Sequence, residues 1–153
     1  MIKDAYEALR KRLKGLPAFE ELDEEFEISA LENEQFLLRG VKKAMSERFE
    51  NISTMLGDLV HPSSESMSLM YEWRFFDPKE KKLIYTIYKR VQFLLRAFDE
   101  AELIQLEDHD VKIVCEFLIE WKSLRKQCIP FATRLKEAWT KEEDNKKELG
   151  YLG

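Results

Sequence analysis

Apolar residues recur at alternating three- and four-residue steps along three long stretches of the chain, with polar and charged residues between them. From Ala30 to His61 the series is Leu38, Val41, Met45, Phe49, Ile52, Leu56 and Leu59. From Pro78 to Leu106 it is Ile84, Ile87, Val91, Leu94, Phe98 and Ala101, and from Val111 to Trp139 it is Val114, Phe117, Trp121, Leu124, Cys128, Phe131 and Leu135. A repeat near 3.5 residues keeps one stripe of a helix facing a neighbour, so each stretch predicts a helix that must bury its stripe against the others. The expected fold is all-α: an antiparallel helical bundle with three long helices (about 30–61, 78–106 and 109–141), short N-terminal helices and a short crossing helix.

Local signals punctuate the same elements. Ser29-Ala-Leu-Glu32 reads as a capping box opening the first long helix. Asp77-Pro78-Lys79-Glu80 supplies a capping acid, a proline at the first helical position and a first-turn glutamate for the next. Glu107-Asp108-His109-Asp110 reads as a short turn into the last helix, where Pro130 removes an internal hydrogen bond and predicts a kink near Gln127. Near the N-terminus, Ile2 to Lys14 predicts a small amphipathic helix ended by Gly15, and Pro17 to Glu27 another whose apolar side is Leu16, Phe19, Leu22 and Phe26. Met67 to Phe76 is too apolar for a solvated linker; it reads as a short helix across the bundle or as a partner-facing element.

A length of 153 residues fits a single domain, 1–153, that buries roughly two thirds of its unfolded surface. No apolar run approaches the roughly 20 residues of a membrane span, and the charged N-terminus lacks the apolar core of a secretory signal; a soluble, cytoplasmic protein without membrane contact is expected. Cys115 and Cys128 are separated by about 20 Å if they share one helix, beyond disulfide reach. With five glycines and two histidines there is no phosphate-cradling loop, no HExxH and no zinc-ligand spacing, and no cofactor or catalytic residue is assigned.

One carboxylate constellation has ligand-like spacing. Glu47, Glu50, Thr54, Asp58 and His61 gather within about 60° on a helical wheel, as metal-dependent helical hydrolases require of their ligands. The same wheel puts Met45, Ile52, Leu56 and Leu59 on the opposite side, so the acids face away from the seam and read first as a solvated face.

Charge is sorted along the chain, with a net of −5. Residues 18–34 carry eight acids and no Lys or Arg. Lys79, Lys81, Lys82, Lys89, Arg90 and Arg96 follow against Glu80 alone, and Lys122, Arg125, Lys126, Arg134 and Lys136 lie in 122–136 without an acid. With the last two helices paired about Asp108, Lys89 and Arg90 fall level with Gln127 and Lys126, and Lys82 with Arg134, which sets the two basic blocks side by side. Lys82, Tyr85, Lys89, Gln92 and Arg96 form one stripe that interleaves cations with a ring, suited to a phosphate backbone and a stacked base. The competing expectation is that the acidic segment folds across the basic end and neutralises it.

The leading functional expectation is a non-enzymatic binding or assembly module. Its interface would use Met67, Met70, Tyr71, Trp73, Phe75 and Phe76, which are residue types that anchor interfaces, with a homodimer or a partner protein. The alternative is a nucleic-acid-associated accessory subunit using Lys82, Tyr85, Lys89, Arg90, Arg96, Arg125 and Lys126. The third is a carboxylate-metal-dependent hydrolase using Glu47, Glu50, Asp58 and His61.

Overall fold

The computed structural model describes residues 1–61 and 66–141. They form α1 (Ile2–Arg12), α2 (Phe19–Phe26), a 3-10 turn (Ile28–Ala30), α3 (Leu37–Val60), α4 (Met67–Trp73), α5 (Pro78–Ile104) and α6 (Glu107–Ala138), with no strand among the described residues. The fold is all-α, as the periodicity predicts.

The predicted seam residues of the three long helices are buried in the core, apart from Leu135, which is partly buried. Val41, Met45, Leu56, Ile84, Val91, Leu94 and Val114 are fully enclosed, and Phe49 sits at the centre with Phe98 at 5.8 Å, Phe117 at 6.3 Å and Trp121 at 5.6 Å between ring centroids. Tilted and edge-on rings at these distances are attractive beyond the area they bury. Contacts fix the helix directions. Phe49 meets Phe98 and Ser53 Oγ accepts from Gln92 at 2.5 Å, so α5 runs antiparallel to α3. Lys42 meets Asp110 and Phe49 meets Trp121, so α6 runs parallel to α3.

The structure corrects three boundaries. Ser29 does not open α3: its backbone N–H donates to Asp23 Oδ1 at 2.8 Å just after Glu27 ends α2 in the left-handed region (φ 55°). The chain then turns through Asn33, whose Oδ1 accepts from Gln35 N, and α3 starts only at Leu37. Ile28, fully buried, anchors this detour, and that burial outweighs a local capping signal. Glu107 to Asp110 is also no turn but the first turn of α6, where three acids complement the positive end of the helix dipole. The reversal is made one step earlier, at Gln105, by a residue at φ 55°.

That shorter reversal changes the predicted register of α5 against α6. Arg90 meets Glu120, not Lys126, and Arg134 meets Glu80, not Lys82. Each of these two arginines thus meets an acid of the facing helix where the predicted register set it beside another cation, an arrangement that replaces repulsion with attraction. The Asp77 box forms as predicted: Oδ1 accepts from Glu80 N at 2.7 Å while Glu80 Oε1 accepts from Asp77 N at 3.2 Å. α6 continues across Pro130.

Candidate functional site

The Met67 to Phe76 segment is held firmly against the end of the bundle formed by the start of α5 and the end of α6. Ser66 Oγ accepts from Leu69 N at 3.4 Å and opens α4. Tyr71 is buried, its hydroxyl donates to Ala138 O at 2.6 Å, and its ring lies 4.9 Å from that of Trp139. Trp139 Nε1 in turn donates to Glu72 at 3.0 Å. Phe76 is buried against Phe131, with the Arg134 guanidinium over its ring while that group also donates to Glu80 and to Phe75 O. Trp73 packs on the core under Lys81, and Phe75 lies beneath Lys141. The six residues therefore divide: Tyr71, Trp73 and Phe76 belong mainly to the bundle, Phe75 is partly covered, and Met67 and Met70 remain about half exposed, joined at this end by Trp139.

The cationic residues divide as well. Arg90 pairs with Glu120 and lies 5.0 Å from the Phe93 ring, Arg96 pairs with Asp99 at 3.1 Å, and Arg125 pairs with Glu25 at 3.5 Å. Lys122, beside them, is held by Glu21 at 2.6 Å, and that partner raises the ammonium pKa. Trp121 Nε1 donates to Glu25 at 2.9 Å. α2 thus lies across α6 and pairs two of its cations. Lys82, Lys89 and Lys126 form no salt bridge among the described residues, and all three are exposed. Lys89 lies 5.7 Å from the exposed ring of Tyr85. Gln92 leaves the predicted stripe for Ser53 of α3, and Phe93, absent from the sequence expectation, stands out from the same helix instead.

Glu47, Glu50 and Asp58 are exposed on α3, and His61, exposed just past its end, lies edge-on to Tyr88 at 5.9 Å. Among the described residues no three His, Cys, Asp or Glu side chains converge as metal ligands.

At the opposite end of the bundle is a charged cluster that lies outside the sequence-based expectations. Lys42, only 5% exposed, sets its ammonium 2.9 Å from Asp110 Oδ1 and 3.0 Å from Glu102 Oε1. The approach to Asp110 is an ion pair without hydrogen-bond alignment, so Oδ1 is buried without a hydrogen bond. Lys42 lies between two clefts, one of about 640 Å³ bounded by α1 and the ends of α3, α5 and α6, the other of about 420 Å³ between α3 and α5. Arg12 closes the rim of the larger with a two-pronged pair to Glu107 at 2.7 and 3.0 Å, which raises the Arg12 pKa and lowers that of Glu107. On a wheel Lys42 adjoins Met45 and Leu38, and a lysine beside an apolar seam is the only sign the sequence offers.

No family model matches the chain, and no curated protein or solved structure is significantly similar to it. No helix among the described residues is long and apolar enough to cross a membrane.

Proposed function

We propose that the protein is a non-enzymatic binding module that associates with a second copy or a partner protein through the α4 end of the bundle. The observation that carries this reading is a fixed apolar surface. α4 is anchored by the Tyr71 to Ala138 hydrogen bond and by the Trp139 to Glu72 bond, yet Met67, Met70 and Trp139 are left about half exposed. A surface already ordered loses little conformational entropy when covered, and Met and Trp are effective anchors. Light scattering at high micromolar concentration should give a mass above the monomer, and Met67→Glu with Met70→Glu should return it to the monomer with little change in melting temperature. A strict monomer that captures no partner through this end would remove the proposal.

Lys82, Lys89 and Lys126, exposed and without a salt bridge among the described residues, with the exposed rings of Tyr85 and Phe93 on the same helix as the first two, favour a second reading, a polyanion-binding face. Single-stranded oligonucleotide should then be retained at about 50 mM salt, with affinity falling steeply as salt rises. Lys82→Glu with Lys89→Glu should abolish retention. Absence of retention at low salt in the unaltered protein rules this reading out.

A further inference from the structure

Four acids of the α2 segment each meet a cation from elsewhere in the chain. Glu20 meets Lys3 of α1 at 2.9 Å and Glu27 meets Arg48 of α3 at 3.4 Å. The other two meet α6, Glu21 at Lys122 (2.6 Å) and Glu25 at Arg125 (3.5 Å). α2 itself is fixed: Phe19, Leu22 and Phe26 are buried, and the Phe26 ring lies 5.8 Å from that of Trp121. Its acidic side chains can exchange partners while the helix stays in place.

The two pairs on α6 differ in how readily they part. Lys122 and Glu21 are both half exposed, and a surface pair of that kind adds little to stability and exchanges easily. The Glu25 side chain is only 7% exposed and also accepts from Trp121 Nε1 at 2.9 Å. Taking Arg125 away would leave a desolvated carboxylate, so that pair holds more firmly. Lys126, the next residue along α6, is exposed and forms no salt bridge among the described residues. The change from matched to unmatched cations on α6 therefore falls between two adjacent residues, because the acids of α2 reach one and not the other.

From this juxtaposition we propose that α2 is a built-in competitor for single-stranded nucleic acid. Its Glu21 and Glu25 carboxylates occupy, as phosphates would, two cations that adjoin the Lys82, Lys89 and Lys126 face, and so confine a bound strand to those three lysines. The inference rests on the polyanion-binding reading of the α5–α6 face. A carboxylate tethered on the same chain competes at a fixed effective concentration however dilute the strand is. A phosphate can reach Lys122 or Arg125 only by displacing it, and the second displacement leaves Glu25 buried without its cation.

Anisotropy titrations of a fluorescein-labelled single-stranded oligonucleotide with the full chain, repeated between about 50 and 200 mM salt, test this through the salt slope. Three lysine contacts give a slope of log affinity against log salt of about −2, and five contacts about −3.5. The unaltered protein should show the first value. Glu21→Gln with Glu25→Gln should show the second and bind at least ten-fold more tightly at the lowest salt, with circular dichroism unchanged, since a glutamine oxygen still accepts from Trp121. Should that double variant fold poorly, Glu21→Gln alone, at a half-exposed position, should give about half the change in slope. Glu32→Gln with Asp108→Asn, which alters net charge equally at exposed positions away from this block, should stay within two-fold of the unaltered protein. Adding Lys122→Gln and Arg125→Gln to the α2 variant should cancel its gain. The competitor role is overturned, and the polyanion reading left standing, if the unaltered protein binds but the α2 variant gains no more than the Glu32/Asp108 control, or if the gain survives loss of Lys122 and Arg125. Binding by the α2 variant alone would support the competitor and remove the reading of an already open face. Binding by neither overturns both.

Discussion

The Lys42 ammonium stands 2.9 Å from Asp110 Oδ1, joining the middle of α3's first half to the first turn of α6, with both residues withdrawn from solvent. Glu102 brings the last turn of α5 to the same nitrogen at 3.0 Å. One side chain thus ties together the three long helices at the end where α5 reverses into α6. Removing one member of a buried pair leaves a desolvated charge behind, whereas replacing both with apolar groups removes the penalty.

Lys42→Met is therefore expected to destabilise the fold by about 3 kcal/mol, the lower part of the range for breaking a buried pair, because half-exposed Glu102 can rehydrate. Adding Asp110→Leu should recover most of the loss. Urea unfolding of the single and double variants measures both; a double variant less stable than Lys42→Met alone would show that Asp110 contributes through something other than its charge.

Two helical glycines should respond differently to alanine. At Gly40 an added Cβ meets Leu31 Cδ1 at 3.4 Å, an ordinary contact, so Gly40→Ala should gain about 0.5–1 kcal/mol from helix propensity. At Gly57 the Cβ would lie 3.1 Å from Tyr88 Cε2, and the ring must move. Gly57→Ala should be no more stable than the unaltered protein, and Gly57→Leu should lose about 1–3 kcal/mol by overpacking. Melting temperatures of the three variants give the comparison.

Acid should weaken the fold from a defined direction. Asp77 accepts the Glu80 backbone N–H, which lowers its carboxyl pKa, and Glu107 is lowered by Arg12. A carboxylate whose folded pKa lies below its unfolded value stabilises the fold fully above the unfolded value, and that contribution disappears as pH falls through the folded one. Stability should therefore drop below about pH 4, the ordinary carboxylate range. Asp77→Asn and Glu107→Gln should each flatten that drop, as read from urea midpoints between pH 2 and pH 6.

The two cysteines should differ in reactivity. Both are free thiols. Cys128 is buried in the α6 seam, and desolvation pushes its pKa up to about 11, leaving little thiolate. Cys115 is partly exposed, with Sγ 2.9 Å from Gly15 O and a pKa raised mainly by desolvation. A thiol reagent at pH 8 should modify Cys115 first, slowly compared with a free thiol, and Cys128 only after unfolding. Equal rates in the native protein would contradict the burial of Cys128.

Tyr71→Phe should cost about 1 kcal/mol by removing the hydroxyl bond to Ala138 O, without changing the apolar surface of α4. Denaturant unfolding reads the loss, and an association that uses Met67 and Met70 should persist in this variant.

How much of this was legible beforehand follows from the range of each signal. The helical class, the three seams and the Asp77 cap are written in intervals of three and four residues, the spacing at which one helix turn repeats, so Ile84 to Ala101 could be assigned to one buried stripe from sequence alone. Other properties depend on which segments meet. Ser29 matches a capping pattern, yet its N–H is taken by Asp23 because the burial of Ile28 routes the chain that way. The six aromatic and methionine residues of 67–76 are alike in sequence, and only packing against Ala138 and Phe131 turns Tyr71 and Phe76 inward while leaving Met67 and Met70 outside. Arg90 and Glu120 are thirty residues apart, and a reversal at Gln105 instead of Asp108 decided that they meet. The sequence by itself determined where helices form and which side of each is apolar, since those are local free energies. Tertiary structure alone decided which charges neutralise one another, why Lys42 is buried, and where a cleft remains open, since each is set by distances between helices that no local repeat encodes.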